Sequence, residues 1–116
     1  LPLPVSAPFH CSLMVPAGER LNEVLSGVAF SEMKVPVVSN VEATANNDHN
    51  RLQQLLVAQV SAPVRWDESV ACMVAAGVDK FVEIGAGKVL SGLVKRIERS
   101  VSTANIEDSA SLAKLS

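Results

Sequence analysis

The sequence predicts an α/β fold in which parallel strands lie between helices. Two observations carry that reading. Apolar residues recur at helical spacing in several stretches, and short β-branched runs alternate with them; a strand covered on both faces reads as a continuous apolar run. The composition agrees: 48% of residues are hydrophobic and only 3% aromatic, which suits a core of Val, Leu, Ile and Ala packed between helices and sheet.

Leu1 to Phe9 holds three prolines and is not helical. A helix is expected over Ser12 to Val28, with Met14, Ala17, Leu21, Leu25 and Val28 on one side and Pro16 confined to the first turn. "VPVVSNV" (Val35 to Val41) reads as a buried strand, and the polar "EATANNDHN" as a loop. Arg51 to Val60 is expected to be helical, with Leu52, Leu55, Leu56 and Val60 inward, Asp48 or Asn50 as cap, and a break at Pro63. Asp67 to Ala76 forms another helix, with Val70, Met73 and Val74 as its stripe and Gly77 as its stop. "KFVEIGAG" is a strand entering a glycine turn. "KVLSGLVKRIERS" follows as a helix whose Val89, Leu90, Leu93, Val94 and Ile97 share a face. "STANIED" suits a last strand and "SASLAKLS" a terminal helix. Two or three strands make a poor sheet alone, so the remaining strands are expected upstream of Leu1, which is not a methionine.

Composition narrows the function classes. With 116 residues the chain can bury a sizeable core. A net charge of −2 argues against a nucleic-acid binder held by phosphates. The longest apolar runs are too short to span a bilayer, and the proline-rich start has no basic n-region. Cys11 and Cys72 show neither CxxC spacing nor a zinc pattern with His10 and His49, so no metal or cofactor is expected, and two lone thiols fit a reducing cytosol.

The glycine turn "EIGAGKVL" resembles a phosphate loop, but Val82 stands where the Walker pattern needs its first glycine and Val89 where it needs Ser or Thr. The dinucleotide pattern fails at Leu90. A tight strand-to-helix turn is the expected reading. His10, on a loop before a helix, is a candidate general base, against the plainer role of a loop-capping histidine. No G-x-S-x-G nucleophile elbow exists in the chain. His49 sits in the polar loop and is expected to be solvated. Lys88, Lys95 and Arg99 fall within one narrow stripe of the last long helix, read either as a solvated face or as a dock for an acidic partner.

Four stretches, "LPLPVSAPFHCSLM", "VPVVSNV", "LVAQVSAPVRWDESV" and "EIGAGKVLSGLVKRI", together make the chain resemble the C-terminal portion of the malonyl-CoA:acyl carrier protein transacylases of bacterial fatty acid synthesis. The family's usual Gly-Pro-Gly-Lys turn has Ala86 in place of the proline here. The resemblance implies that residues 1–116 belong to the α/β-hydrolase-like large subdomain of an acyltransferase. It places the serine elbow, the arginine that pairs the malonyl carboxylate, the oxyanion-hole residues and a small ferredoxin-like subdomain upstream.

The implied reaction is ping-pong transfer of malonyl from malonyl-CoA to the phosphopantetheine thiol of acyl carrier protein. His10 matches the catalytic histidine and Gln59 the residue whose backbone carbonyl orients it. Phe9 matches a position where phenylalanine accompanies malonyl rather than methylmalonyl specificity. The implied partners are malonyl-CoA, acyl carrier protein and the upstream part of the same enzyme, in the cytoplasm. A polyketide synthase acyltransferase domain is the nearest alternative, although the short tail "SASLAKLS" favours a discrete enzyme. A non-catalytic interaction module is the alternative from another class.

Overall fold

The computed structural model describes residues 12–115. It divides into two compact units, Leu1–Ser69 and Val70–Ser116, with the third helix straddling the division.

The first unit is built on two helices. A single 3-10 turn, Ser12–Met14, leads into α1, Val15–Leu25, with Pro16 in its first turn where no intrahelical donor is lost. The helix stops three residues short of the expected Val28. There the Ser26 hydroxyl donates to the Asn22 carbonyl at 2.8 Å and the chain turns. The packed face also differs from the expected one. Gly18 is buried, Met14, Leu21 and Leu25 are half-buried, and Ala17 and Val28 are exposed. These four inward positions keep helical spacing but centre on a glycine, which lets the backbone of α1 approach α2, Leu52–Ser61.

"VPVVSNV" does not form the expected buried strand. Only Val37–Val38 (β1) is strand, and it pairs antiparallel with Ala45–Asn46 (β2), inside the stretch expected to be a loop. Val37 is 47% exposed. Pro36 cannot donate to a ladder, and the chain turns back directly after Val38 with the Ala43 N–H on the Ser39 carbonyl at 3.0 Å. The 3-10 turn His49–Arg51 precedes α2, and Asp48 caps that turn by accepting from the Asn50 N–H at 2.9 Å. Leu55 is the buried centre of α2, whereas Leu56 lies nearer the surface. Helix α2 ends before Pro63, and Ala62 is extended, as a residue before proline prefers.

Helix α3, Trp66–Ala75, carries Val70 into the second unit fully buried. It closes on Gly77 at φ +99°: Val78 N–H reaches the Met73 carbonyl and Gly77 N–H that of Val74, both at 3.0 Å. Strand β3, Lys80–Ile84, then runs parallel to β4, Ser102–Ile106, in the register Lys80↔Ser102 through Ile84↔Ile106. Helix α4, Val89–Ile97, is the crossover between them, and α5, Ser109–Leu115, packs on β4. The expected parallel α/β layer is therefore present as a strand–helix–strand unit. On α4, Val94 is buried and Leu93 and Ile97 are half-buried. Val89 (72% exposed) and Leu90 lie outside the packed face, contrary to the expected stripe.

Candidate active site

Gln59 lies in the last turn of α2, half-buried, on the wall of a cavity of about 200 Å³ that it shares with Val38, Ser39, Asn40, Leu55 and Leu56. An α-helical bond to its carbonyl would come from residue 63. That residue is Pro63, which has no N–H, so the ordinary α-helical donor to this carbonyl is missing. The last intrahelical bond is the one from Ala62 N–H to the Ala58 carbonyl, at 3.2 Å. His10 and Phe9, the other two site residues expected from the sequence, lie outside the described residues, as does Cys11. The turn Ser12–Met14, which begins two positions after His10, packs against α2.

The cavity wall opposite α2 is a tightly held loop. Ser39 is buried, and its hydroxyl accepts from Glu42 N–H at 3.3 Å. Ala43 sits at φ +56°, a left-handed conformation that costs a non-glycine residue about 1–2 kcal/mol. Arg51, from the turn before α2, forms an ion pair with Glu42, and its side-chain hydrogen bond to that carboxylate, above all, raises its pKa. Buried Asn46 accepts from Asp48 N–H at 3.1 Å and donates to the Asp48 carbonyl at 3.1 Å. Arg65 holds the loop from the other side. Its N–H donates to the Asn40 carbonyl at 3.1 Å, and its Nη1 to the carbonyls of Val41 and Glu42, each at 3.2 Å.

The glycine turn is, as expected, a strand-to-helix turn, and the structure gives the physical reason that it does not cradle phosphate. Its glycine donors are taken by the chain's own oxygens, one backbone carbonyl and one carboxylate. Gly85 N–H extends the ladder to the Ile106 carbonyl at 2.9 Å, and Gly87 N–H donates to Glu107 Oε2 at 3.0 Å. Glu83, from β3, accepts from the N–H groups of Leu90 and Ser91 at 3.3 and 2.9 Å and from the Ser91 hydroxyl at 2.9 Å. Ser91 N–H, above all, holds the Glu83 carboxyl below the usual carboxylate range.

The expected cationic stripe does not persist. Lys95 folds its ammonium onto the Val101 carbonyl, and Arg99 lies beyond the end of α4. Lys88 borders an open cleft of about 410 Å³ whose wall also carries Glu107, Asp108 and Lys114, a mixed rather than a basic surface. His49 is half-buried in its 3-10 turn rather than fully solvated, and Cys72 is a free, half-buried thiol on α3. Among the described residues no cluster could hold a metal ion, and no helix is long and apolar enough to cross a membrane. Sequence reasoning missed Arg65 and Glu83. The only local signal for Arg65 is an arginine two residues past a helix-ending proline, and for Glu83 a carboxylate on the strand that feeds the glycine turn.

No protein-family model matches the chain. It is 45% identical over 108 residues, 93% of its length, to the malonyl CoA-acyl carrier protein transacylase of Bacillus subtilis. It superposes with a TM-score of 0.90 and 43% identity on an acyl carrier protein S-malonyltransferase of Vibrio cholerae, covering 100% of this chain and 38% of that one. It superposes with a TM-score of 0.88 and 44% identity on a malonyl-transacylase solved in complex with its type II PKS acyl-carrier protein, covering 98% of this chain and 37% of that one. The chain spans about a third of the length of the Bacillus relative, 34% of it.

Proposed function

We propose that this chain, homologous over almost its whole length to malonyl CoA-acyl carrier protein transacylases, is the histidine-bearing C-terminal segment of such an enzyme. The proposed reaction moves malonyl from malonyl-CoA to the phosphopantetheine thiol of acyl carrier protein through a malonyl-serine intermediate, in the cytoplasm. The serine comes from the part of the fold that this chain does not match.

In the first half-reaction one ring nitrogen of His10 takes the serine hydroxyl proton as the oxygen attacks the thioester carbonyl. The tetrahedral adduct collapses, the carbon–sulfur bond breaks, and the imidazolium returns the proton to the departing coenzyme A sulfur. In the second half-reaction His10 takes the carrier thiol proton, sulfur attacks the malonyl-serine ester, and the proton goes back to the serine oxygen. The other ring nitrogen must donate to a fixed acceptor that sets the tautomer. The Gln59 carbonyl is that acceptor in this reading, and a neutral carbonyl has the lone pairs to serve. Phe9, beside the base, fills the space that a branching methyl on the acyl group would need, a steric selection of about 1–3 kcal/mol.

The observation that supports the pairing most directly is a tether. The turn Ser12–Met14 packs on α2, the helix that carries Gln59 in its last turn. Ser12 is two positions after His10 in the sequence, and a chain spans at most ~3.6 Å per residue. The test is His10→Ala in the whole enzyme. Turnover is expected to fall by the ~10²–10⁴ of a lost general base with the fold retained. Near-full turnover would overturn the reading, as would malonyl transfer by the 116-residue chain alone.

A further inference from the structure

We propose that Arg65 is a positioning residue for this transfer, an inference that rests on the function proposed above. Arg65 holds three successive carbonyls, those of Asn40, Val41 and Glu42, through its N–H at 3.1 Å and its Nη1 at 3.2 Å to each of the other two. Its Nε pairs with Glu68. The loop it grips supplies Ser39 and Asn40 to the wall that faces Gln59 across the cavity. Arg65 also lies two residues past Pro63, so it anchors the chain directly after the helix end that carries Gln59. Its own carbonyl accepts from Ser69 N–H at 3.0 Å and Ser69 Oγ at 2.8 Å, which fixes it to the first turn of α3.

Arg65 therefore ties the loop that forms one wall of the cavity to the chain segment that follows α2, by its backbone N–H on Asn40 and its guanidinium on Val41 and Glu42. The need for it is visible in the loop, where Ala43 at φ +56° is a conformation that persists only when its surroundings over-determine it. Arg51 restrains the side chains of Glu42 and Asn46 and, among the described residues, bonds no main-chain carbonyl of residues 40–42, where the Arg65 side chain takes two of them. Next to the cavity the loop main chain is held by the Ser39 hydroxyl, which accepts from Glu42 N–H, and by the Arg65 guanidinium on the Val41 and Glu42 carbonyls, and a planar guanidinium holds its acceptors in a fixed geometry that a flexible ammonium does not impose. Without it, the loop and the helix end shift relative to each other and the Gln59 carbonyl loses its aim. An imidazolium with a misaligned acceptor is less stabilised, so the base titrates at lower pH and turnover drops, while the binding of malonyl-CoA is untouched.

The experiment compares Arg65→Met, Arg65→Lys and Glu68→Gln in the whole enzyme. Arg65→Met is expected to lower kcat by roughly tenfold, about one lost hydrogen bond, with KM for malonyl-CoA little changed. The acid limb of its pH–rate profile moves to lower pH. Arg65→Lys recovers part of kcat and part of the limb, and Glu68→Gln behaves as wild type. An unshifted acid limb in Arg65→Met overturns the proposal, whether activity is retained or falls only as far as the folded fraction falls. If Arg65→Met does not fold, Arg65→Lys decides: a wild-type limb and kcat overturn the proposal. A His10→Ala variant that keeps its turnover defeats the function proposed above. An inactive His10→Ala beside an unshifted Arg65 variant defeats only the present inference.

Discussion

Pro63 stands four positions beyond Gln59, where an α-helix would place the N–H that closes on the Gln59 carbonyl. The pair predicts an unusual order of mutational cost in the whole enzyme. Gln59→Ala keeps the carbonyl and should lose less than about tenfold in kcat/KM, roughly 1.4 kcal/mol. Pro63→Ala adds an N–H that competes for that carbonyl and should cost more than Gln59→Ala, although it touches no side chain of the site. Steady-state kinetics of both variants, with melting curves to show that each is folded, decide it. A Gln59→Ala loss as large as that of His10→Ala would assign the orienting role to the amide side chain.

Glu83 caps the start of α4 from the neighbouring strand, and its carboxyl is held below the usual carboxylate range chiefly by Ser91 N–H. A carboxylate whose folded pKa lies below its unfolded one stabilises the fold above the unfolded value. That stabilisation is lost as pH falls through the folded value. Glu83→Gln should therefore melt at a lower temperature than wild type at neutral pH, and the two melting curves should converge in acid. A gap that stays constant down to acid pH would mean that the charge contributes nothing.

Gly77 closes α3 at φ +99°, and a methyl group there would meet nothing within 4 Å. The cost of Gly77→Ala is thus backbone strain alone, about 1–2 kcal/mol. A melting temperature unchanged from wild type would show that the turn can adopt another conformation.

Gly18 lies against α2, where an added methyl would meet the Val57 carbonyl oxygen at 3.4 Å and the Val60 Cβ at 3.8 Å. These are ordinary contacts, so Gly18→Ala should gain helix propensity, up to about 1 kcal/mol, at little steric cost. Gly18→Leu should force α1 and α2 apart and destabilise the fold. Equal melting temperatures for the two variants would contradict the close approach.

How far the sequence could be read depended on what ends each element. The α3 stop at Gly77, the break at Pro63 and the parallel β3 and β4 were legible because glycine, proline and β-branched runs act through local sterics. "VPVVSNV" misled because β-branched content reports pleat preference and not burial, and the loop carbonyls there are held by Arg65, distant in sequence. The end of α4 carries no breaker. It stops because Glu98 turns extended, accepts from the Ser100 N–H and hydroxyl at 3.3 and 2.8 Å, and Lys95 reaches over to Val101. The candidate site residues His10, Phe9 and Gln59 came from the resemblance alone, and the arginine that grips the loop facing Gln59 had no sequence signal pointing to that role, because its acceptors are backbone carbonyls and leave no residue-type signature.

The carboxylate of Glu107, seated on Gly87 N–H, makes the glycine turn a receptor already filled by its own chain. A tethered ligand acts at an effective concentration on the order of millimolar or above. A dissolved phosphate present at micromolar levels would find the position occupied almost all the time. The turn thus resembles an anion-binding loop in outline while being insulated from the anions around it, and discrimination among phosphorylated molecules has to be exercised by other groups.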